Sequence, residues 1–315
     1  MHYPEQMRLL VSRDSVNNIK RAVEVGGARH VIDGVNISGM TLLNMAIDMG
    51  MEDAAIACIN LGADVTAGVN PITQACTWSK PSCRIVDALL DHGADVNSRT
   101  HGYGHSALYL CAANGHEDVA EKLLERGANP DIRTKWGSTP LHAAINSEMV
   151  SMLIASGADV NAVDKNICTP LHFFAKEWNV EAIELLVAAG ADVNCRDDNG
   201  ETTLMYSVQR TVGPMDFNRW NDCLTCLIDA GGNLNDVDSA GQSILHWAMK
   251  SECNEELVIG LLQRGADPSL ADHEGNSAID LAKGSIVEVM ENYSVRQKIC
   301  QSVDNVPVRV ARRRM

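Results

Sequence analysis

The sequence predicts an all-α fold: a solenoid of about nine stacked helix pairs joined by projecting turns. Three observations point there. Variants of a two-part pattern, a mostly Thr- or Ser-led helix start with a Gly exit about twenty residues later, recur from near the first residue to about residue 290. Aromatic residues make up only 4% of the chain, which suits thin layers of close-packed short helices. Finally, a helix pair of about 33 residues cannot bury its apolar face alone and has to stack on copies of itself.

The stretch Thr169–Asn194 shows how one unit is built. Thr169 is a good helix N-cap, because its hydroxyl can accept an otherwise unpaired N–H of the first turn. Pro170 fits the first helical position, where its missing N–H costs nothing. A second helix carries apolar residues at Ala182, Ile183, Leu185 and Leu186. Gly190 stands where a helix C-terminus favours a left-handed residue, and Ala-Asp-Val-Asn leads into a turn.

Taken in order, residues 1–35 form an N-terminal capping unit whose helix pair spans 5–27, with Ile19, Ala22 and Val23 among its apolar positions. Repeats fill 36–295. The connector 64–70 is short, so its projecting turn is expected to be truncated. The loop 77–82 holds Trp78 near Pro81, where it is either a prop or a binding contact. The connector 99–105 is one residue longer than the others, and the glycines flanking Tyr103 predict an exposed tight turn. The pair at 139–158 is short by about three residues, around 146–149. The pair at 202–232 is long by about eight, within 211–221, where Gly213-Pro214 breaks the helix before Phe217 and Trp220. Insertions in solenoids lie on one edge and often make contacts. From about residue 271 the repeat reads as a degenerate C-terminal cap, and 296–315 as a basic tail.

These motifs resemble the ankyrin repeat. Its Thr-Pro-Leu-His start and Gly-Ala-Asp end stand nearly intact as Thr139–His142 with Gly157–Asp159, and as Thr169–His172 with Gly190–Asp192. Weaker starts lie at Thr41, Asn70, Ser106, Thr202, Ser243 and Ser277, and matching ends at Gly62, Gly93, Gly127, Gly231 and Gly265. The resemblance covers about nine-tenths of the chain. It implies an ankyrin-repeat solenoid with projecting β-turn or hairpin connectors. It also implies that His142, His172 and His246 brace helix starts by hydrogen bonding.

The net charge is −15, unevenly spread. Residues 296–315 carry six cations against Asp304, leaving a strongly acidic body. Such a body argues against binding nucleic acid through the general surface. No apolar run approaches bilayer length, and the start lacks a signal-peptide pattern. Of ten cysteines, Cys58, Cys76, Cys111, Cys223 and Cys226 align with apolar repeat positions, where a thiol behaves as a small hydrophobe. Cys223 and Cys226 form the single C-x-x-C, and no second pair follows at zinc spacing. Reduced thiols point to the cytosol or nucleus. No metal or cofactor is expected.

No catalytic constellation emerges. Gly104–Leu108 lacks the final Gly of a nucleophile elbow. Asp197–Gly200 brushes against a calcium loop, but Cys195 holds the first ligand position and Tyr206 the last. A solenoid offers an open groove rather than a water-excluding pocket.

In ankyrin repeats the variable contacts lie at turn tips and on the exposed end of the first helix. By that resemblance the candidate partner-binding residues are Trp78, His101, Tyr103, Lys135, Trp136, Lys165, Asn166, Lys176, Asn199 and Arg210. Phe217 and Trp220 join them from the insertion. Tyr103 and Trp136 fall at successive tips, and Tyr, Trp and Arg are the usual binding anchors. Ile167 stands where the turn Gly belongs. Asn97, Asn161 and Asn194 resemble sites that asparaginyl hydroxylases modify in ankyrin repeats. The expected function is that of a monomeric, non-enzymatic module. Its region 99–210 would bind a protein segment with apolar anchors and some acidic character. The alternatives are a substrate-recruiting adaptor of the ubiquitin-ligase type, a microbial or viral host-directed effector, and, behind these, a small-molecule binder or enzyme.

Overall fold

Several first helices start where a side chain folds back on the first turn, at Thr41, Asn70, Ser106 and Ser277. Thr41 Oγ1 accepts the N–H of Asn44 at 3.2 Å, and Ser106 Oγ that of Tyr109 at 3.1 Å. The computed structural model describes residues 17, 19–20, 39–77, 81–210, 217–251 and 255–304. From residue 42 onward these form sixteen helices in eight consecutive pairs.

The chain divides into two compact units, the first holding 1–170 and 188–191, the second 171–187 and 192–315. In the first, the helices are α1 (Leu42–Asp48), α2 (Glu52–Asn60), α3 (Pro71–Ala75), α4 (Cys83–Asp91), α5 (Ala107–Asn114), α6 (Glu117–Glu125), α7 (Pro140–Ala143) and α8 (Ser147–Ala155). First helices pack on first helices (α1 on α3, α3 on α5, α5 on α7), and second helices on second helices (α2 on α4, α4 on α6, α6 on α8). Leu42, Leu43, Ile59, Leu89, Leu108, Leu123 and Leu141 fill the space between the layers and are fully buried. Each contributes about 1.5–3 kcal/mol by leaving water.

The second unit holds α9 (Pro170–Glu177), α10 (Val180–Ala188), α11 (Thr203–Tyr206), α12 (Phe217–Asp229), α13 (Ile244–Lys250), α14 (Glu255–Gln263), α15 (Ala278–Leu281) and α16 (Ser285–Asp304), with Pro170 and Ala188 assigned to the first. Here α11 packs on α12 and α13, α13 on α14 and α15, and α14 on α16.

The connectors project as minimal hairpins. Single antiparallel bridges join Arg99 to Ser106, Arg196 to Thr202, Val237 to Ser243 and Ala271 to Ser277. An Asp at the base folds the turn: Asp197 Oδ1 accepts the N–H groups of Asn199 at 2.9 Å and Glu201 at 2.8 Å, and Asp238 does the same for Ala240 and Gln242. This is what the Asp197–Gly200 run does. Between α2 and α3, where the sequence is short, only a turn forms, closed by the N–H of Ala67 on the carbonyl of Asp64.

Several expectations shift. Phe217 and Trp220 lie within α12 rather than in an inserted loop. Trp220 is 0% exposed and lies 3.4 Å from where a Cβ on Gly260 would sit. It is a core residue and not a partner contact: α12 turns its apolar side inward, and the Trp ring fills the space that Gly260 leaves. Helix α16 runs on into the stretch read as the basic tail and continues to Asp304. Most of the N-terminal pair, Trp78, and 211–216 lie outside the described residues, as do 305–315 of the tail.

Candidate functional site

In the first unit three hairpins stand in register through their backbones. The N–H of Lys135 donates to the carbonyl of Tyr103 at 2.9 Å, and that of Lys165 to the carbonyl of Trp136 at 2.9 Å. Arginines staple the same row. Arg99 Nη1 donates to the carbonyl of Arg133 at 2.9 Å, and Arg133 Nη1 to that of Val163. Sequence reasoning missed these staples. Their recurrence at one repeat's spacing was the available signal.

The register presents large side chains outward. Tyr103 is 62% exposed, Trp136 61% and Ile167 48%. Tyr103 stacks on His105 (centroids 5.5 Å apart, planes at 20°), which stacks on Tyr109 (4.6 Å, 11°). Burial holds the His105 imidazole below its ordinary pKa and pushes the Tyr109 phenol up. Lys165 Nζ lies 5.7 Å from the centre of the Trp136 ring, a cation–π distance. Lys135 Nζ donates to the carbonyl of His101 at 3.1 Å. Thus His101, Tyr103, Lys135, Trp136, Lys165 and the exposed Asn166 gather on neighbouring tips. The segments 99–105, 133–138 and 164–168 contain Arg99, Arg133, Lys135 and Lys165 and a single carboxylate, Asp164. Its Oδ1 is occupied by the N–H groups of Asn166 and Cys168.

Ile167 sits at φ +62°, the left-handed region that β-branched residues avoid. Equivalent turns use glycine, such as Gly137 at φ +81°. The chain therefore holds an apolar side chain in solvent at a backbone cost of about 1–2 kcal/mol.

In the second unit Lys176, Asn199 and Arg210 are exposed and Phe217 is half-buried. Arg210 lies 4.9 Å over the Trp178 ring and pairs with Glu177 at 3.2 Å. Trp178, also missed, is 1% exposed at φ +53° and donates its Nε1–H to the carbonyl of Ser207 at 2.8 Å. The hairpins here are acidic. Burial and Asp197 push the Glu201 carboxyl up to about 6. Among the described residues no group of three or more His, Cys, Asp or Glu could hold a metal ion. Burial pushes the Cys58 and Cys223 thiols up to about 12, so they stay protonated and unreactive.

Hairpin-linked helix pairs with this N-cap and tip register match the family description "Ankyrin repeats (3 copies)" over residues 56–134, 72–164, 146–215 and 171–272. The chain belongs to the ankyrin repeat family. Ankyrin repeats are protein-interaction modules. The solved human ASB11 ankyrin repeat domain is similar at 25% identity and a TM-score of 0.60, covering 71% of this chain and 97% of that one. The E3 ubiquitin-protein ligase KEG of Arabidopsis thaliana is 29% identical over 53% of this chain and 11% of its own length. Neurogenic locus notch homolog protein 1 of Homo sapiens is 26% identical over 63% of this chain and 6% of its own. The similarity thus covers only a small part of these relatives. Among the described residues no ankyrin helix is long and apolar enough to cross a membrane.

Proposed function

We propose that this chain is a non-enzymatic, monomeric module that binds a protein partner on the hairpin tips of its first unit. The observation that carries the reading is the exposed row Tyr103, Trp136 and Ile167, held in register by backbone hydrogen bonds and flanked by Lys135 and Lys165. Aromatic anchors on a rigid frame lose little entropy on binding, so a few of them supply most of the affinity. The cations of the row favour a segment with apolar anchors and acidic character over nucleic acid, which the acidic body repels. Lys176, Asn199 and Arg210 are further contacts, on the second unit. The buried, protonated thiols suit a reducing compartment, the cytosol or nucleus.

The test is affinity capture on wild type beside a Tyr103→Ala/Trp136→Ala double variant of unchanged helical circular dichroism. Loss of a partner in the variant supports the reading. Full retention sinks it. A second reading, a substrate-recruiting adaptor, is favoured by relatives named ubiquitin-protein ligases. It expects a chain lacking 296–315 to lose one partner and keep another.

A further inference from the structure

An aromatic row lies at the root of the second unit's hairpins. Phe173, Tyr206 and Trp247 each stand four residues after a helix-start Thr or Ser, at equivalent places on α9, α11 and α13. The first unit has Met45, Leu110 and Ala143 there, so the fold itself does not call for a ring. The Tyr206 hydroxyl donates to Asp197 Oδ2 at 2.9 Å, and Trp247 Nε1–H to Asp238 Oδ2 at 3.0 Å. Helix α11 packs on α13, and the Tyr206 ring meets His172 of α9 edge-on at 4.9 Å. Phe173 is 37% exposed, and Tyr206 and Trp247 are half-buried. Rings held in this way lose little freedom on binding.

The hairpins above the row stand in register and are acidic. The N–H of Ser239 donates to the carbonyl of Asn199 at 2.9 Å, and that of His273 to the carbonyl of Ala240 at 2.9 Å. The segments 196–202, 236–243 and 271–277 contain seven carboxylates and one arginine. Arg196 pairs with Asp236 at 3.3 Å, and among the described residues the other six carboxylates make no ion pair. Burial, then Asp197, Asp238 and Asp198, push the Glu201 carboxyl up, so each hairpin feels the charge of the next. Counting Lys176, Glu177, Arg210 and Lys250, which come later in the same repeats, eight carboxylates stand against four cations. One cation already lies on the row: Lys250 Nζ is 5.2 Å from the centre of the Trp247 ring, a cation–π distance.

We propose that the row Phe173, Tyr206 and Trp247 is a second docking surface, which takes a Lys/Arg-rich segment of a partner protein. The aliphatic stems of that segment lie on the rings, its cationic heads meet the ring faces, and the hairpin carboxylates hold the flanking charges. The occupant follows from charge complementarity, because the carboxylates here outnumber the cations two to one. The inference does not rest on the tip reading. The first unit's tips, with four cations and one carboxylate, select a partner of the opposite charge.

The probe is a displayed library of random short peptides, sorted on the full chain at low salt. Wild type is expected to enrich basic peptides and to release them as salt screens the carboxylates. Phe173→Ala and, separately, Asp198→Asn/Glu274→Gln change exposed side chains, so the thermal transition should hold. The first is expected to lower retention of the basic peptides by about tenfold and the second by about fivefold. Tyr103→Ala/Trp136→Ala should retain them, and so should a chain lacking 305–315. If neither row variant loses the basic peptides, the inference is wrong. Loss in the tip variant would place them on the first unit and overturn it too. Enrichment that occurs only once 305–315 is removed would make the chain's own arginine-rich end the occupant, and the assignment to a partner would fall. Enrichment of no basic peptide by either chain would sink the surface altogether.

Discussion

The imidazole of His142 ties its repeat to the next through the carbonyl of Cys168. Nε2 lies 3.1 Å from that oxygen, and Nδ1 lies 3.1 Å from the backbone nitrogen of Thr139. A carbonyl only accepts and an N–H only donates. The ring is therefore neutral, with its proton on Nε2. His246 repeats the arrangement between Ser243 and the carbonyl of Asn276. In the repeat that starts at Thr41, Asn44 does the same with an amide, accepting from Thr41 and donating to Val69.

That equivalence makes a prediction. His142→Ala leaves the N–H of Thr139 without its ring acceptor and takes one of two donors from the carbonyl of Cys168, which keeps the N–H of Asp164, and should destabilise the chain by about 1–3 kcal/mol. His142→Asn keeps one acceptor and one donor and should cost clearly less. Urea unfolding of both variants checks the order. Equal losses would mean that the ring is filler rather than a brace.

Ile167 and Trp178, the two non-glycine residues in the left-handed region among the described residues, should respond oppositely to glycine. Ile167→Gly removes strain at an exposed tip and should stabilise by about 1 kcal/mol. The same variant should bind the partner less well, because an anchor is gone. Trp178→Gly removes similar strain but empties a buried site, and cavity losses of about 3–5 kcal/mol outweigh the relief. Thermal melts of the pair decide it.

Glycines at two turns should also separate. Gly157, at φ +86°, has nothing within 4 Å of where an added methyl would sit, so Gly157→Ala should cost about 1 kcal/mol of backbone strain. A methyl on Gly137 would lie 3.0 Å from the backbone nitrogen of Lys165. Gly137→Ala should cost about 3 kcal/mol, since the next hairpin has to move as well. Denaturant midpoints of the two variants measure the gap.

Glu201 sets a pH dependence. Its carboxyl is raised from 4.5 to about 6, because burial and Asp197 disfavour its charge, and Gln209 Nε2 at 2.6 Å offsets this only in part. The folded state therefore binds the proton more tightly than the unfolded state. This contribution to stability falls as pH rises from about 4.5 to about 6 and stays unfavourable above. Glu201→Gln should be more stable than wild type at pH 7, and the advantage should vanish below pH 4.5. Denaturant midpoints at both pH values test the sign. An advantage that persists in acid would exclude charge as its cause.

Much of the fold was legible in the chain because the repeat writes its rules locally. Thr41, Ser106 and Thr139 announce helix starts through a hydroxyl and a backbone N–H three residues on. Gly157 and Gly190 announce exits through a backbone angle that only glycine adopts freely. Stacking then follows, since no pair can bury its own apolar face. The exposure of Tyr103 was also legible, because Gly102 and Gly104 leave it nothing to pack on but its neighbouring rings.

What the chain could not show is which face a side chain takes once helices stack. Trp220 looked like part of an exposed insertion, yet its place on α12 turns it against Gly260, a residue of another repeat. Trp178 and Arg210 come together only because Ser207 offers a carbonyl to the indole. The shortening near Asn146 was visible, but the placement of Ile145 across the cap of α5 needed the folded helices beside it. Local hydrogen bonds and backbone angles are encoded in neighbouring residues, so sequence alone determined the helix pairs, their turns and their order. Burial depends on distant surfaces meeting, so only the tertiary structure decided which of the large side chains face solvent.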